Sequence, residues 1–234
     1  NDGMQEEEQT ETQKQAEDSF LCDFSPNTID MSYFPFSTWK RVHKQVLLDE
    51  EENVLRKGNP KGDERLRQTI AHYLHVSRGV NCSPEQIIIG AGNDYLLLLL
   101  QKLFGEMRTV AMENETYLRA YRIFCSNAYR ICVMDMDEKG MCTAALGQTD
   151  ADLAYVMPAH QFPTGAVMPV GRRLELLAWA KEKENRYLIE DDYDSEFRYK
   201  GKPIPALQSL DKQEKVIYMG TFSKSIAPAI RVSY

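Results

Sequence analysis

The strongest constraint on the fold of this 234-residue chain is a series of short apolar segments that alternate with helical patterns. Most of these segments are continuously apolar, which is typical of parallel strands that helices cover on both faces. Strands are predicted at 86–89, 109–112, 130–134, 153–157, 187–190, 216–219 and 230–233. Apolar residues at helical spacing predict helices at 36–54, 63–78, 94–104, 117–127, 172–184 and 205–210. The sequence therefore predicts a three-layer α/β/α fold with a mostly parallel sheet.

Composition and charge narrow the classes of function. The formal charge of −7, from 28 basic and 35 acidic residues, argues against a chain that grips a nucleic-acid backbone by itself. Five cysteines without a C-x-x-C pair disfavour a disulfide framework or a zinc knuckle, and a reducing cytoplasm is the simpler location. The longest apolar run, at 95–100, is too short to span a bilayer. We therefore expect a cytoplasmic protein that has no membrane partner.

Three parts are predicted along the chain. Residues 1–18 hold seven acids and almost no apolar side chain, so 1–19 is predicted to be a flexible linker or tail. Residues 20–78 form an N-terminal helical segment, and 79–234 form the sheet domain. Because the chain starts without an initiator methionine and stops inside a predicted strand, we expect it to be a piece of a longer protein.

Candidate ligand-binding residues lie in the loops after the strands, because ligands bind outside the carboxyl ends of parallel strands. The segment Gly-Ala-Gly-Asn-Asp at 90–94 leads into a helix whose first N–H groups could bind phosphate, although a tight turn requires glycine equally often. Tyr117 could stack on a flat heterocycle or simply pack, and Arg119 could meet a ligand carboxylate or lie exposed. His160, near two prolines, is more often a structural residue than a catalytic one.

Four acids occur within 190–194, at the end of another strand. Water could solvate them, or a divalent metal could bind them, although the spacing lacks alternate ligands and an EF-hand glycine. An acid of this run could instead keep a pyridine nitrogen protonated, which makes the ring an electron sink. Tyr193 could then donate to a phenolic oxygen on the same ring.

A lysine-containing turn, Gly-Thr-Phe-Ser-Lys at 220–224, follows the strand at 216–219. The hydroxyls of Thr221 and Ser223 could bind phosphate together with Arg231, and the amine of Lys224 could form a Schiff base. A Ser/Lys hydrolase pair is the competing hypothesis, but it would need serine at the position of Thr221. A lysine, an acid and a hydroxyl-rich turn at successive strand ends predict a site for pyridoxal 5'-phosphate (PLP).

Four segments carry a family resemblance. They are Y-L-I-E-D-D-Y-D-S-E-F-R-Y at 187–199, H-Q-F-P-T-G at 160–165, G-T-F-S-K-S-I-A-P at 220–228 and S-R-G-V at 77–80. They resemble the MocR branch of GntR-type transcriptional regulators, over roughly everything after residue 20. Such proteins join a winged helix-turn-helix to a PLP-dependent transferase domain of fold type I, similar to aspartate aminotransferase. The resemblance implies that this chain is the large domain, C-terminally incomplete, without the DNA-binding and C-terminal small domains.

The resemblance also implies roles for individual residues. Lys224 would form the Schiff base with PLP, Asp191 would pair with the pyridine nitrogen, Tyr193 would bind the ring oxygen and Tyr117 would stack on the ring. Arg119 would lie on the substrate or effector side. The phosphate would be held by Gly92, Asn93, Thr221 and Arg231.

Two positions depart from the family pattern. Phe162 stands where ordinary aminotransferases carry asparagine, so one contact to the ring oxygen is lost and His160 is the candidate to replace it. Lys57 stands where the related loop carries a tyrosine that reaches the partner subunit's phosphate, and a lysine could make that contact only through its charge.

Three functions are compatible with these residues. The leading hypothesis is an effector-sensing domain in which an amino compound displaces Lys224 from PLP and alters DNA binding by the missing domain, with at most weak transaminase activity. The alternative is an aminotransferase acting on amino acids, with Lys224 as the base for proton transfer. The third is a scaffold that dimerises without binding PLP. A homodimer is expected in each case.

Overall fold

The computed structural model describes residues 30–50, 55–197 and 205–234. The predicted acidic linker at 1–19 lies outside these residues. Within the described part of the chain, no helix combines the length and the apolar character that crossing a membrane requires.

Five parallel strands form the central sheet, in the order β2-β1-β5-β6-β7. A short antiparallel pair, β3 with β4, follows β2 in the chain. The strands are β1 (Thr109–Glu113), β2 (Arg130–Met134), β3 (Met136–Asp137), β4 (Gly140–Met141), β5 (Leu153–Val156), β6 (Tyr187–Asp192) and β7 (Val216–Gly220). Every residue of β1 and β5 is buried, which explains their continuously apolar sequences.

Helices lie on both faces of this sheet. The helices of the described residues are α1 (Phe36–Glu50), α2 (Glu64–Arg78), α3 (Asn93–Phe104), α4 (Leu118–Ser126), α5 (Val170–Lys181) and α6 (Leu207–Leu210). On one face, Leu97 of α3 and Phe124 of α4 belong to the same buried cluster as Tyr155 of β5. On the other face, Trp179 of α5 belongs to a cluster with Ala154, the neighbour of Tyr155. Alternate residues of one strand thus serve two helical layers, and the predicted three-layer α/β/α fold is confirmed.

Helix α2 shows how local sequence sets an element's ends. The side chain of Asp63 accepts a hydrogen bond from the N–H of Leu66 at 2.9 Å and caps the first turn. Gly79 ends the helix with φ 68°, a left-handed conformation that glycine adopts without a steric penalty. The buried residues Ile70 and Leu74 join a third apolar cluster with Tyr234.

Two predicted strands are wrong. At 86–89 the chain forms a 3₁₀ turn, Pro84–Gln86, and then an irregular segment in which the N–H of Ile89 bonds to the carbonyl of Lys61. At 230–233 only Ser233 pairs, through isolated antiparallel bridges to Gly90 and Thr221. In both segments the backbone hydrogen bonds go to single residues of neighbouring loops, so apolar composition alone does not create a ladder.

Two helix boundaries also differ from the prediction. The helix expected at 205–210 is reduced to the four residues of α6. Helix α5 spans Val170–Lys181 where 172–184 was predicted. Of the helix predicted at 36–54, α1 covers Phe36–Glu50, and residues 51–54 lie outside the described part.

Candidate functional site

The loops after β1, β5, β6 and β7 lie along one edge of the sheet, because parallel strands carry their carboxyl ends to the same side. The start of α3 joins them there, since Asn93 donates a hydrogen bond to Asp191 at the end of β6. This edge therefore brings together residues that are far apart in the sequence.

Asp191 lies at the centre of this edge and is 3% exposed. Its Oδ1 accepts from Nδ2 of Asn93 at 3.0 Å, and its Oδ2 accepts from the hydroxyl of Tyr155 at 2.5 Å. Burial raises the pKa of Asp191 to about 6, although the two hydrogen bonds act in the opposite direction. The result is a buried carboxyl group whose two described donors are both neutral.

The acids on either side of Asp191 point to the opposite face of β6, because side chains alternate along a strand. Asp192 accepts from Nε of Arg78 at 2.9 Å and from the hydroxyl of Tyr218 at 2.6 Å. Glu190 accepts from two backbone N–H groups at the start of α6, and burial raises its pKa to about 7.

The directions and partners of these carboxylates argue against a metal site formed by the acid run at 190–194. The three consecutive carboxylates divide between two faces of the sheet and are occupied by different partners. Within the described part of the chain, no group of three or more histidine, cysteine, aspartate and glutamate side chains could hold a metal ion.

Three aromatic rings form one wall of the site. The ring of Phe162 lies between Tyr117 and Tyr193, with centroid distances of 6.1 Å and 6.3 Å and edge-to-face geometry in both pairs. Tyr117 occupies the N-cap position of α4, and Phe162 precedes Pro163 through a cis peptide bond. Both tyrosines are half-buried, so each keeps part of its surface open.

Two of the predicted phosphate-binding residues, Gly92 and Arg231, meet at the start of α3. Gly92 has φ 99°, and a Cβ added there would lie 2.1 Å from Nη2 of Arg231, so the guanidinium occupies space that only glycine leaves free. Thr221 is buried, and its Oγ1 accepts from the hydroxyl of Ser233 at 2.9 Å. The side chain of Asn93 turns toward Asp191, and its buried Oδ1 has no hydrogen-bond partner among the described residues.

His160 and Lys224 both act on Asp194, three residues after Asp191. Nδ1 of His160 is 2.8 Å from Oδ1 of Asp194. Burial raises the pKa of Asp194, while the bond to His160 and the charge of Lys224 lower it, which places the lysine near this pair. Lys224 itself is half-buried in the turn after β7.

Two predicted positions lie farther out. Arg119 is exposed and forms an ion pair with Asp94, with Nη1 3.3 Å from Oδ2. Lys57 is exposed in the loop between α1 and α2. Neither position adopts a buried arrangement of the kind that Asp191 has.

Sequence reasoning missed two residues that organise the site. In the sequence, Tyr155 is indistinguishable from the other apolar residues of its strand. Only the pairing of β5 with β6 shows that its hydroxyl donates a hydrogen bond to Asp191. Gln161 is 1% exposed, and its amide donates to Oε2 of Glu113 and to the carbonyl of Glu115, at 3.1 Å and 2.5 Å. Its oxygen accepts from the backbone and the hydroxyl of Thr164. The position of Gln161 inside the His160–Gly165 motif was the sequence signal that could have identified it.

Comparison with known proteins shows that the chain is similar to aminotransferases and to transcriptional regulators. The family described as aminotransferase class I and II matches residues 24–234. The uncharacterized HTH-type transcriptional regulator YdeL of Bacillus subtilis is 44% identical over 96% of the chain and 49% of its own length. The probable rhizopine catabolism regulatory protein MocR of Rhizobium meliloti is 35% identical over 90% of the chain and 43% of its own length. The chain thus spans about half the length of the relatives that it matches, and the MocR resemblance is confirmed.

Solved structures agree with this assignment of the fold. The kynurenine aminotransferase of Pyrococcus horikoshii, crystallised with PMP, aligns with a TM-score of 0.82 and 28% identity. The alignment covers 89% of this chain and 54% of that protein.

Proposed function

Because the chain belongs to the aminotransferase class I and II family, we propose that it is the PLP-binding, effector-sensing domain of a MocR-type transcriptional regulator. The observation that carries the proposal is the buried carboxyl of Asp191, held by neutral donors beside an aromatic wall, a guanidinium cradle and Lys224. Relatives with regulator names support the regulatory role, and each is about twice as long as the matched part.

The residues at this edge fit PLP group by group. Asp191 would hold the pyridine nitrogen, Tyr193 the ring oxygen, and Tyr117 the ring face. The phosphate would lie against Arg231, which already fills the cradle left by Gly92. A Thr221 hydroxyl and the N–H groups at the start of the 12-residue helix α3 would add further donors.

Lys224 would link the domain to its effector. When bound, PLP supplies an aldehyde that bonds to amines and a ring that withdraws electrons. Lys224 would provide the resident amine, and an amino compound would compete for the same carbon. Arg119, exposed near the start of α4, would meet the acidic group of that compound.

The domain boundaries and assembly belong to the same proposal. Residues 1–19 would be the linker, 20–78 the helical segment and 79–234 the PLP-binding domain, with DNA bound through a separate winged helix-turn-helix. Exposed apolar residues on α1, among them Trp39, Val42 and Val46, support a homodimer that covers them. Light scattering of the PLP-loaded protein should give twice the monomer mass, and a monomer that binds PLP would contradict this.

A working aminotransferase is the second candidate function. The specific observation in its favour is the 28% identity and 0.82 TM-score shared with the kynurenine aminotransferase. Phe162 weighs against it, because a phenyl ring cannot donate a hydrogen bond to the ring oxygen of PLP. His160 already contacts Asp194, so it would have to leave or share that contact to serve instead.

The decisive experiment locates the cofactor linkage. The purified protein, Lys224→Ala and Lys139→Ala would each be incubated with PLP, reduced with borohydride, digested and analysed by mass spectrometry. Lys139 lies in the exposed turn between β3 and β4 and serves as the matched control. We expect one modified peptide, containing residue 224, in the parent and in Lys139→Ala. Its presence in Lys224→Ala, or its absence from the parent, would contradict the proposal.

Turnover separates the two candidate functions. The PLP-loaded protein would be mixed with amino acids and a keto-acid acceptor. The amount of keto-acid product would then be measured relative to the amount of bound PLP. A regulator should form no more than about one equivalent while the visible spectrum changes. Many equivalents per site would favour the aminotransferase.

A further inference from the structure

We propose that Tyr155 is a positioning residue of the cofactor site, whose hydroxyl orients Asp191 and keeps its carboxylate available for the pyridine nitrogen of PLP. This inference rests on the proposed function and names a residue that the sequence motifs do not include.

The strand register places Tyr155 beside Asp191. Tyr155 pairs with Ile189 across β5 and β6, and Asp191 is two residues farther along the same face. The side chains are therefore diagonal neighbours, and the tyrosine hydroxyl lies 2.5 Å from Oδ2. Tyr155 is fully buried, at 0% exposure, so no water competes from its own side.

Asn93 completes the arrangement from another element. Its Nδ2 lies 3.0 Å from Oδ1 of Asp191, so each carboxylate oxygen holds one donor. The two donors come from β5 and from α3, and together they prevent the carboxylate from rotating. Because each oxygen accepts more than one hydrogen bond, the group still has acceptor capacity for a ligand.

Both donors are neutral, and this affects the charge of the site. Burial holds the pKa of Tyr155 well above its ordinary value, so the phenol keeps its proton. Asp191 is desolvated and also faces the negative charges of Asp192 and Asp194, all of which favour its protonated form. The hydrogen bond from Tyr155 opposes these effects. Without it, Asp191 becomes more basic and draws the shared proton away from the pyridine nitrogen.

The same sheet provides a matched control. Tyr218 pairs with Glu190 across β7 and β6, and its hydroxyl donates to Oδ2 of Asp192 at 2.6 Å. Burial raises the pKa of Tyr218 well above its ordinary value as well. Tyr155→Phe and Tyr218→Phe therefore each remove one tyrosine–aspartate hydrogen bond from β6, and they differ in the face from which it is removed.

The experiment compares the parent with these two variants. Urea unfolding of the PLP-free proteins measures the structural loss. Equilibrium dialysis measures the dissociation constant of PLP, and the ¹⁵N chemical shift of ring-labelled PLP reports the protonation of its nitrogen. Both variants should lose similar stability. Only Tyr155→Phe should weaken PLP binding, by about tenfold, and move the ¹⁵N shift toward neutral pyridine.

A second substitution keeps the test informative if Tyr155→Phe does not fold. Incorporation of 3-fluorotyrosine at position 155 retains the hydroxyl and makes it a stronger donor. The ¹⁵N shift should then move in the opposite direction, toward protonated pyridine. An unchanged ¹⁵N shift in the fluorotyrosine protein would overturn the inference.

Other outcomes are equally clear. Equal weakening of PLP binding in Tyr155→Phe and Tyr218→Phe would show a general structural effect and overturn the positioning role. Parental PLP affinity in Tyr155→Phe would overturn it too. If the parent itself binds no PLP, the proposed function fails, and the inference fails with it for that separate reason.

Discussion

The two faces of β6 treat neighbouring carboxylates in opposite ways. Asp192 lies in a buried ion pair with Arg78, whose Nε is 2.9 Å away. Asp191, one residue earlier, receives hydrogen bonds from the neutral donors Tyr155 and Asn93. A paired buried charge holds elements together, whereas a buried carboxylate without a cationic donor is unfavourable until a ligand supplies one. One face therefore supports the fold, and the other presents a buried carboxyl group to the proposed binding site.

The largest expected effect is the loss of the ion pair on the supporting face. Asp192→Ala removes the partner of a buried guanidinium and should lower the free energy of unfolding by about 3–5 kcal/mol. Urea denaturation of the PLP-free protein measures this. Asp137→Ala breaks the exposed pair with Arg172 and should have a far smaller effect. Equal losses would mean that burial does not distinguish the two pairs.

The buried carboxyl group of Asp191 should make the free energy of unfolding depend on pH. The folded pKa of Asp191, about 6, lies above the ordinary value of 3.8. The folded state therefore binds the proton more tightly, and this group's contribution to stability falls as pH rises from about 4 to about 6. The difference between parent and Asp191→Asn unfolding curves should change by about 3 kcal/mol over that range. A flat difference would show that Asp191 titrates normally.

Glu190 titrates over an overlapping pH range and is present in both the parent and Asp191→Asn. Its pKa of about 7 also lies above the ordinary value, so its contribution falls as pH rises from about 4.5 to about 7. Subtracting the two unfolding curves removes this shared fall and leaves the part that belongs to Asp191.

Substitution of two glycines, one on each side of this comparison, should affect PLP binding differently. Gly92→Ala would strain a residue at φ 99° and displace Arg231, whereas Gly220→Ala would place a Cβ 2.6 Å from the buried ring of Tyr234. Each should lower stability by about 1–3 kcal/mol. Gly92→Ala alone should also weaken PLP binding by about tenfold or more, because the phosphate loses a charged partner. Equal affinities in dialysis would count against the guanidinium cradle.

The smallest effect is expected at the rim of the supporting face. Tyr73→Phe removes a hydroxyl that lies 3.1 Å from Oε1 of Glu196, and it should lower stability by about 1 kcal/mol. PLP affinity should stay at the parental value. A change in affinity would mean that the loop after β6 transmits this contact to Tyr193, and that the two faces are less separate than their hydrogen bonds indicate.

Much of the fold could be predicted because its signals are local. The strands β1, β2, β5, β6 and β7 were each predicted from a short apolar run, and their ends fall within two residues of the prediction. The segments at 86–89 and 230–233 carry the same signal but form no strand, since a ladder requires a partner of matching length. Apolar composition indicates burial, and pairing decides whether the buried segment is a strand.

The candidate site divides in a similar way. Residue types at strand ends were sufficient to select Tyr117, Tyr193, Lys224 and the acid run at 190–194. The family resemblance selected Asp191 within that run, and the roles of these residues toward PLP stay predictions. Tyr155 was not selected, because a tyrosine inside an apolar strand has no distinguishing pattern. Gln161 was not selected and its neighbour His160 was, although the Gln161 amide connects the end of β1 to the turn at 161–164.

By itself, the sequence determined which segments form the five strands of the sheet and most of the helices, and it predicted that the strand at 187 ends at Glu190. These patterns follow from local periodicities that need no distant contact. The structure extends β6 to Asp192, and this extension divides Glu190, Asp191 and Asp192 between two faces. Only the tertiary structure decided which partners each carboxylate receives. Asn93 is 98 residues from Asp191 and Arg78 is 114 residues from Asp192, so their meeting depends on strand register and helix placement. Whether a buried acid stabilises the fold or is kept for a ligand is set by those partners, because the free energy of a buried charge depends on the groups that surround it.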